Sequence, residues 1–309
     1  MNSRRLLLLA SLSSLACTPP MDGNDTLDTA GTLTIGDAAT ASDTATATAT
    51  ATMTSDSSES ESGDEAKLDL GASDLPTELP EVAEVFGHSG SVLYRLDPTT
   101  LQLEEVGPFA PCAPPSIIDI ALDANSNMYG TAFGALWRID RESAECTLVT
   151  EEGSFPTSLS FLPAEIFGEE VLVGYDDADY LRIDPSTGAI EVLGALGDGL
   201  ESSGDVVSVV GKTYLTVRGP GCDATDCIVE IDPSSGQVTK NYGSVGYDQV
   251  FGLGFWGGKA YGFAREGALF EIEFLDDSVI TTEVPIPNAP PGLEWFGAGS
   301  TTAAPPLEG

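Results

Sequence analysis

Basic side chains are scarce in this 309-residue chain: 12 Lys+Arg stand against 49 Asp+Glu, a formal charge of −37. Without clustered Lys and Arg there is no footprint for phosphate contacts, which excludes a nucleic-acid binder. The same shortage argues against electrostatic docking on anionic lipid. Histidine is nearly absent as well, with only His88, so there is no His-based metal site and no paired-His chemistry. No apolar run approaches the roughly 20 residues of a membrane-spanning helix. No segment holds a 3.6-residue period, which excludes a helical domain. Two motifs are also missing: no G-x-S-x-G elbow occurs, and no Gly-rich loop precedes a helix to cradle phosphate. Gly87-His88-Ser89-Gly90 lacks the elbow spacing and reads as a turn.

Residues 1–16 combine Arg4-Arg5, the apolar run Leu6–Leu12 and the small-residue end Ser13-Ser14-Leu15-Ala16. That order is a secretory signal peptide. Cys17 follows directly. The segment resembles the bacterial lipoprotein signal, in which a small residue precedes a Cys that is lipidated and becomes the new N-terminus. It departs from that pattern in one place: Ser14 stands three residues before the Cys, where the family prefers Leu. Ordinary cleavage after Ala16 is the rival reading. The resemblance implies lipidation of Cys17, and Thr18 in place of an inner-membrane retention Asp implies the outer membrane.

Residues 17–80 form the next region. They include a Thr-Ala alternation over 44–52 and an acidic Ser-rich patch over 55–62. Between Thr18 and Pro80 there are thirteen acidic residues and one Lys. Such a segment cannot bury enough apolar surface to offset its ordering entropy, so a disordered linker is expected. Its mean span is about 45 Å, whether it serves as a glycosylated stalk or a plain spacer.

Residues 81–309 carry five copies of one pattern. Leu93–Pro98, Leu136–Arg141, Tyr180–Pro185, Ile228–Pro233 and Leu269–Phe274 repeat an apolar-x-x-apolar-acid core. The acidic residues fall at 97, 140, 184, 232 and 273, so the intervals run from 41 to 48. The longest interval contains an extra loop, Gly219–Cys227. Each unit reads as four short strands; in the second these are 116–122, 128–132, 135–140 and 146–150. Four strands per 40–45 residues is the signature of a β-propeller blade. The first unit lacks an innermost strand, because Glu84–Gly87 already reads as a second strand. The lone strand at Leu293–Thr301 resembles the other innermost strands. The expected fold is therefore all-β: a five-bladed β-propeller closed by the C-terminal strand, which removes an exposed sheet edge.

The turns Ile183-Asp184-Pro185-Ser186-Thr187-Gly188 and Ile231-Asp232-Pro233-Ser234-Ser235-Gly236 resemble those of bacterial YncE-like and quinoprotein-like propeller repeats. The resemblance spans residues 81–309 and implies architecture. Function it leaves open, since a fold does not fix chemistry. Some members of that group bind a quinone cofactor, many bind only partners, and a few are hydrolases or lyases.

Candidate residues follow from this frame. Asp97, Asp140, Asp184 and Asp232 start turns, where a carboxylate caps its own backbone amides. Arg95, Arg138, Arg182, Glu230 and Glu271 form a column whose sign changes around the ring, read as inter-blade salt bridges or surface cover. Asp123–Asn127 alternates oxygen ligands like a calcium loop, yet Gly134 stands where the closing Glu belongs. A hairpin turn is favoured there, with calcium as the weaker reading and no other cofactor or metal expected. Five Cys less Cys17 leaves four in an oxidising compartment. Disulfides Cys112–Cys146 and Cys222–Cys227 are favoured over a four-Cys zinc site. His88, Tyr175, Asp176, Asp177, Asp179, Arg218 and Arg265 mark the loops of the expected ligand face. No residue is assigned a catalytic role. The favoured function is a monomeric, non-enzymatic binding or scaffold module at the cell envelope. The alternative is a propeller lyase or hydrolase acting on an extracellular carbohydrate or ester. With 36 acidic and 9 basic residues in 81–309, any protein partner should be basic or neutral.

Overall fold

The computed structural model describes residues 84–112, 116–209 and 211–303. The expected signal peptide, Cys17 and the expected linker lie outside them. Twenty strands form five antiparallel four-stranded sheets. The first sheet holds β1 (Val85–His88), β2 (Val92–Leu96) and β3 (Leu103–Pro108). The second holds β4 (Asp119–Leu122), β5 (Met128–Ala132), β6 (Ala135–Ile139) and β7 (Cys146–Thr150). The third runs through β8 (Ser160–Leu162), β9 (Val171–Asp176), β10 (Asp179–Ile183) and β11 (Ile190–Ala195). The fourth comprises β12 (Glu201–Val209), β13 (Lys212–Gly219), β14 (Cys222–Ile231) and β15 (Val238–Ser244). The fifth comprises β16 (Val250–Trp256), β17 (Lys259–Ala264), β18 (Leu269–Phe274) and β19 (Val279–Glu283). The final strand, β20 (Gly297–Ser300), pairs antiparallel with β1 and completes the first sheet in the order β20-β1-β2-β3. This is the expected five-bladed propeller with its C-terminal closure.

The closure is a dense seam. His88 faces Gly297 and Val85 faces Ser300 across the ladder. The Phe296 N–H donates to the His88 carbonyl at 2.8 Å, and the Ser300 hydroxyl accepts from Phe255 N–H at 2.9 Å. Asn288 imitates a strand neighbour: its Oδ1 accepts from Leu103 N–H and its Nδ2 donates to Leu103 C=O. Trp295, fully buried, fills the space between the first and fifth blades, edge-on to Tyr94 and Phe263. Gly87 makes room for it, since a Cβ there would stand 2.6 Å from the indole ring.

The structure corrects several local expectations. The strand expected over 116–122 begins only at Asp119, and the closing strand spans 297–300; before it, Leu293 and Trp295 pack in the apolar cluster of the first and fifth blades. One short helix, α1 (Ala164–Phe167), interrupts the all-strand reading; Pro163 precedes it and left-handed Gly168 ends it. The loop expected over 219–227 is an extended β13–β14 hairpin, with both Cys222 and Cys227 on β14. Both expected disulfides are present. Cys112 follows the outer strand of the first blade, so its bridge to Cys146 ties that segment to the outer strand of the second.

The repeated Asp turns dock blades together. Asp97, Asp140, Asp184 and Asp232 each accept backbone N–H groups two or three residues on. The residue four on is left-handed in every copy: Leu101, Ala144, Gly188 and Gly236. Leu101 and Ala144 hold that costly conformation while contributing to apolar clusters. Gly236 has no choice, because a Cβ would strike the Tyr180 ring.

We expect deletion of residues 291–309 to abolish the cooperative thermal transition, because it strips β1 of its inner partner. Trp295→Ala should retain the transition but cost about 3–5 kcal/mol. Denaturant melts of both variants check this; an unchanged midpoint for the deletion would contradict ring closure by β20.

Candidate functional site

In each blade the chain enters the inner strand at the same end of the ring where the hairpin joins its second and third strands. A cavity of about 470 Å³ opens at that end. Ser202–Gly204 and Phe251 come from the starts of inner strands, while Ser116–Ile118 directly precede β4 and Phe296 directly precedes β20. Phe133, Asp177, Arg218 and Arg265 come from the second-to-third hairpins. Three phenylalanines give the cavity an apolar lining. Phe133 is 74% exposed, the most exposed large apolar side chain among the described residues. The Phe251 and Phe296 rings lie 6.5 Å apart, and the Arg265 guanidinium sits 5.7 Å over Phe296.

A second cavity of about 450 Å³ adjoins the first through Ser203, Arg218 and Phe251. Four of its other lining residues are acidic: Glu201, Asp223, Asp226 and Asp248. Arg218 is held by Glu201 at 3.3 Å and approaches Asp177 at 3.9 Å, while Arg265 approaches Glu294 at 3.9 Å. Asp226 is buried and accepts from Val250 N–H at 2.7 Å, and desolvation raises its pKa.

One residue below the cavity lining, the axis is sealed. Asp119 and Asp205 are 0% and 1% exposed. Asp119 accepts N–H bonds from Ile120 and from Leu159 of the third blade. Asp205 accepts them from Val206 and from Leu253 of the fifth blade. The two carboxyls also hydrogen-bond to each other. Burial, and for Asp119 the charge of Asp205, raises both well above the usual carboxylate range; the pair therefore holds a proton. His88 lies beside them. Its Nδ1–H donates to Ser89 C=O at 2.8 Å, its Nε2 has no partner, and burial pulls its pKa down to about 4. Gly297 makes room for both groups, since a Cβ there would collide with Asp119 Oδ1 and His88 Nε2.

Of the residues expected on the ligand face, Asp177, Arg218 and Arg265 line the mouth. Asp176 and Asp179 flank Asp177 at the same hairpin without lining the cavity. Tyr175 points the other way: it is buried, and its hydroxyl donates to Gly236 C=O of the fourth blade. His88, expected in a turn, is the last residue of β1 and fully buried. The Asp123 oxygens are engaged within their own turn, on Asn125 N–H, Asn127 N–H and Asn127 Nδ2. Among the described residues no group of three or more His, Cys, Asp or Glu side chains is arranged to hold a metal ion. Sequence reading did not find Phe133, Phe251, Phe296 or the Asp119–Asp205 pair.

No family model and no curated protein sequence matches the chain. Among solved structures it is similar to a protein of unknown function from Bacteroides caccae, at 14% identity over 66% of this chain and 73% of that one, TM-score 0.40. It is also similar to YjhT, at 13% identity over 60% and 69%, TM-score 0.40. A further likeness is to an oligogalacturonate lyase in complex with manganese, at 12% identity over 64% and 61%, TM-score 0.37.

The buried groups set opposite pH slopes. His88 titrates near 6.5 when unfolded and near 4 when folded. Its contribution is therefore full above pH 6.5 and is lost as pH falls toward 4, by on the order of 3 kcal/mol. The carboxyl pair has raised values, so its contribution is full below the ordinary carboxylate pKa and is lost as pH rises through its folded value. His88→Asn should flatten the acid-side loss between pH 6.5 and 4. Asp205→Asn should flatten the decline at higher pH, even though one backbone N–H loses its acceptor. Urea melts from pH 4 to 9 read both slopes; parallel curves for wild type and variants would contradict this account.

Proposed function

We propose that this protein is a non-enzymatic binding module. Its propeller takes a ligand at the mouth of the ring, and a lipid on Cys17 with the acidic linker holds it at the cell envelope. One observation carries the reading. The mouth offers an apolar, aromatic-lined cavity with a few polar groups at its rim, the usual makeup of a binding site. Among the imidazole and carboxyl groups, the three most strongly shifted, His88, Asp119 and Asp205, lie sealed beneath it. A general acid or base must come within hydrogen-bond reach of the proton it moves, and these three have no access to a molecule in the mouth. The side chains that do face the cavity are hydroxyls, aliphatic and phenyl groups, ion-paired arginines and the single carboxylate of Asp177, a set that suits recognition better than bond cleavage. The lipid anchor rests on the run 1–17, and the outer membrane on Thr18.

Two experiments test this reading. Thermal melts of the full-length Cys17→Ser chain against a panel of oligosaccharides and short peptides should yield a stabilising ligand. A ligand held at 100 times its Kd adds about 2.7 kcal/mol. Phe133→Ser should leave the ligand-free melt unchanged, because that ring is exposed, and should remove the ligand-dependent shift. A shift that survives Phe133→Ser puts the ligand elsewhere and defeats the reading. Separately, Cys17→Ser should release the protein from the membrane fraction of its host; retention there would overturn the anchor.

A further inference from the structure

The charge around the mouth identifies the kind of partner it fits. Nine basic residues fall within the described segments. Six of them, Arg95, Arg141, Arg182, Lys212, Lys240 and Lys259, are ion-paired away from the mouth. Arg138 bonds to Asn127. Only Arg218 and Arg265 line the two adjoining cavities, against five carboxylates: Asp177, Glu201, Asp223, Asp226 and Asp248. Both arginines already have acidic neighbours. Asp223 and Asp248 are exposed with no basic partner. An anionic ligand would have to displace Glu201 or Glu294 from an arginine and then face the remaining carboxylates. A cationic ligand meets neither obstacle.

The apolar half of the site points the same way. Phenyl faces attract cations, and Arg265 over Phe296 shows a guanidinium already resting on one of these rings. Phe133, Phe251 and Phe296 supply a floor for an apolar side chain beside the acidic cavity. The two cavities hold about 470 and 450 Å³ and share a wall. Together they exceed one side chain and match a segment of several residues.

We infer that the mouth receives a basic polypeptide segment, with an apolar side chain on the phenylalanine floor and Lys or Arg side chains on the adjoining carboxylates. This rests on the reading of the mouth as the binding site. The chemistry is complementary at each point: apolar area is removed from water at the centre, and charges of opposite sign meet at a solvated rim, where they steer association.

The test uses the full-length Cys17→Ser chain and three labelled peptides, read by fluorescence anisotropy. One peptide carries a Trp flanked by two Lys on each side. The second replaces the four Lys by Glu, and the third replaces the Trp by Ala. The Lys–Trp peptide should bind, and the other two should bind at least roughly tenfold more weakly. Its Kd should rise steeply between 50 and 300 mM NaCl, as screening predicts. Phe133→Ser should weaken it by roughly tenfold. Asp223→Asn with Asp248→Asn should weaken it, whereas Glu191→Gln with Asp276→Asn, an equal charge change away from both cavities, should not. Equal effects of the two charge pairs would reduce the binding to general attraction by an acidic protein and overturn the inference. Binding of the Glu–Trp peptide that depends on Phe133 would overturn the basic class while leaving the mouth as a binding site. If no peptide responds to Phe133→Ser, the inference falls and the mouth reading loses its support from peptides, leaving the oligosaccharide melts to judge that reading alone.

Discussion

The pairing of β1 with β20 is the contact on which the rest of the ring depends. It joins residues more than two hundred positions apart and turns an open row of sheets into a closed one. Without it, β1 would present an unpaired edge, and edges are where sheets pair with the wrong chain. The seam is built from many small fits: Trp295 between two blades, Gly87 flat beneath it, and Asn288 standing in for a strand. Loop closure of this length costs entropy that grows only slowly with length. A buried Trp and a four-residue ladder can offset that cost.

Closing five blades leaves a narrow axis, and the axis decides where chemistry can occur. The inner strands β4, β12, β16 and β20 carry Asp119, Asp205, Gly252 and Gly297. Gly252 and Gly297 lie so close to neighbouring groups that a Cβ would collide with them. The two aspartates fill the remaining space by sharing a proton and by accepting N–H groups from the next blades. Each therefore works as an inter-blade clamp. Buried polar groups are tolerable when they are satisfied, and here satisfaction closes the axis to solvent.

Much of the architecture could be read from the sequence because its signals are local. The Asp turns recur at regular intervals, and each hairpin carries its own Gly, Asn or Asp. Even the closing strand was legible, since Phe296-Gly297-Ala298-Gly299 repeats the pattern of Phe251-Gly252-Leu253-Gly254 on an inner strand. The site was less legible because its parts are scattered. Phe133, Phe251 and Phe296 sit in the second blade, the fifth blade and the closing segment, and only ring geometry brings them together. Tyr175 and Asp176 are adjacent, so reading the acidic hairpin as surface carried Tyr175 with it. Strand alternation instead turns Tyr175 inward, onto the turn of the next blade. His88 was misplaced because Ser89 and Gly90 announce a turn that begins one residue later.

The sign change in the repeated column links composition to the mouth. In the first and third blades the column supplies Arg95 and Arg182, which pair with Glu142 and Glu169. In the fourth and fifth it supplies Glu230 and Glu271, which pair with Lys212 and Lys259 on the adjacent strands. Only the first of these pairs crosses between blades; the others lie within one blade. Exposed pairs of this kind are each worth at most about 1 kcal/mol. Their larger consequence is distributional. With so few basic residues in the chain, spending most of them on the flanks leaves the mouth with two arginines, both already attended by carboxylates. The acidity of the mouth is thus what remains after the blades have taken their cations, and it lies next to Phe133, the most exposed large apolar side chain among the described residues.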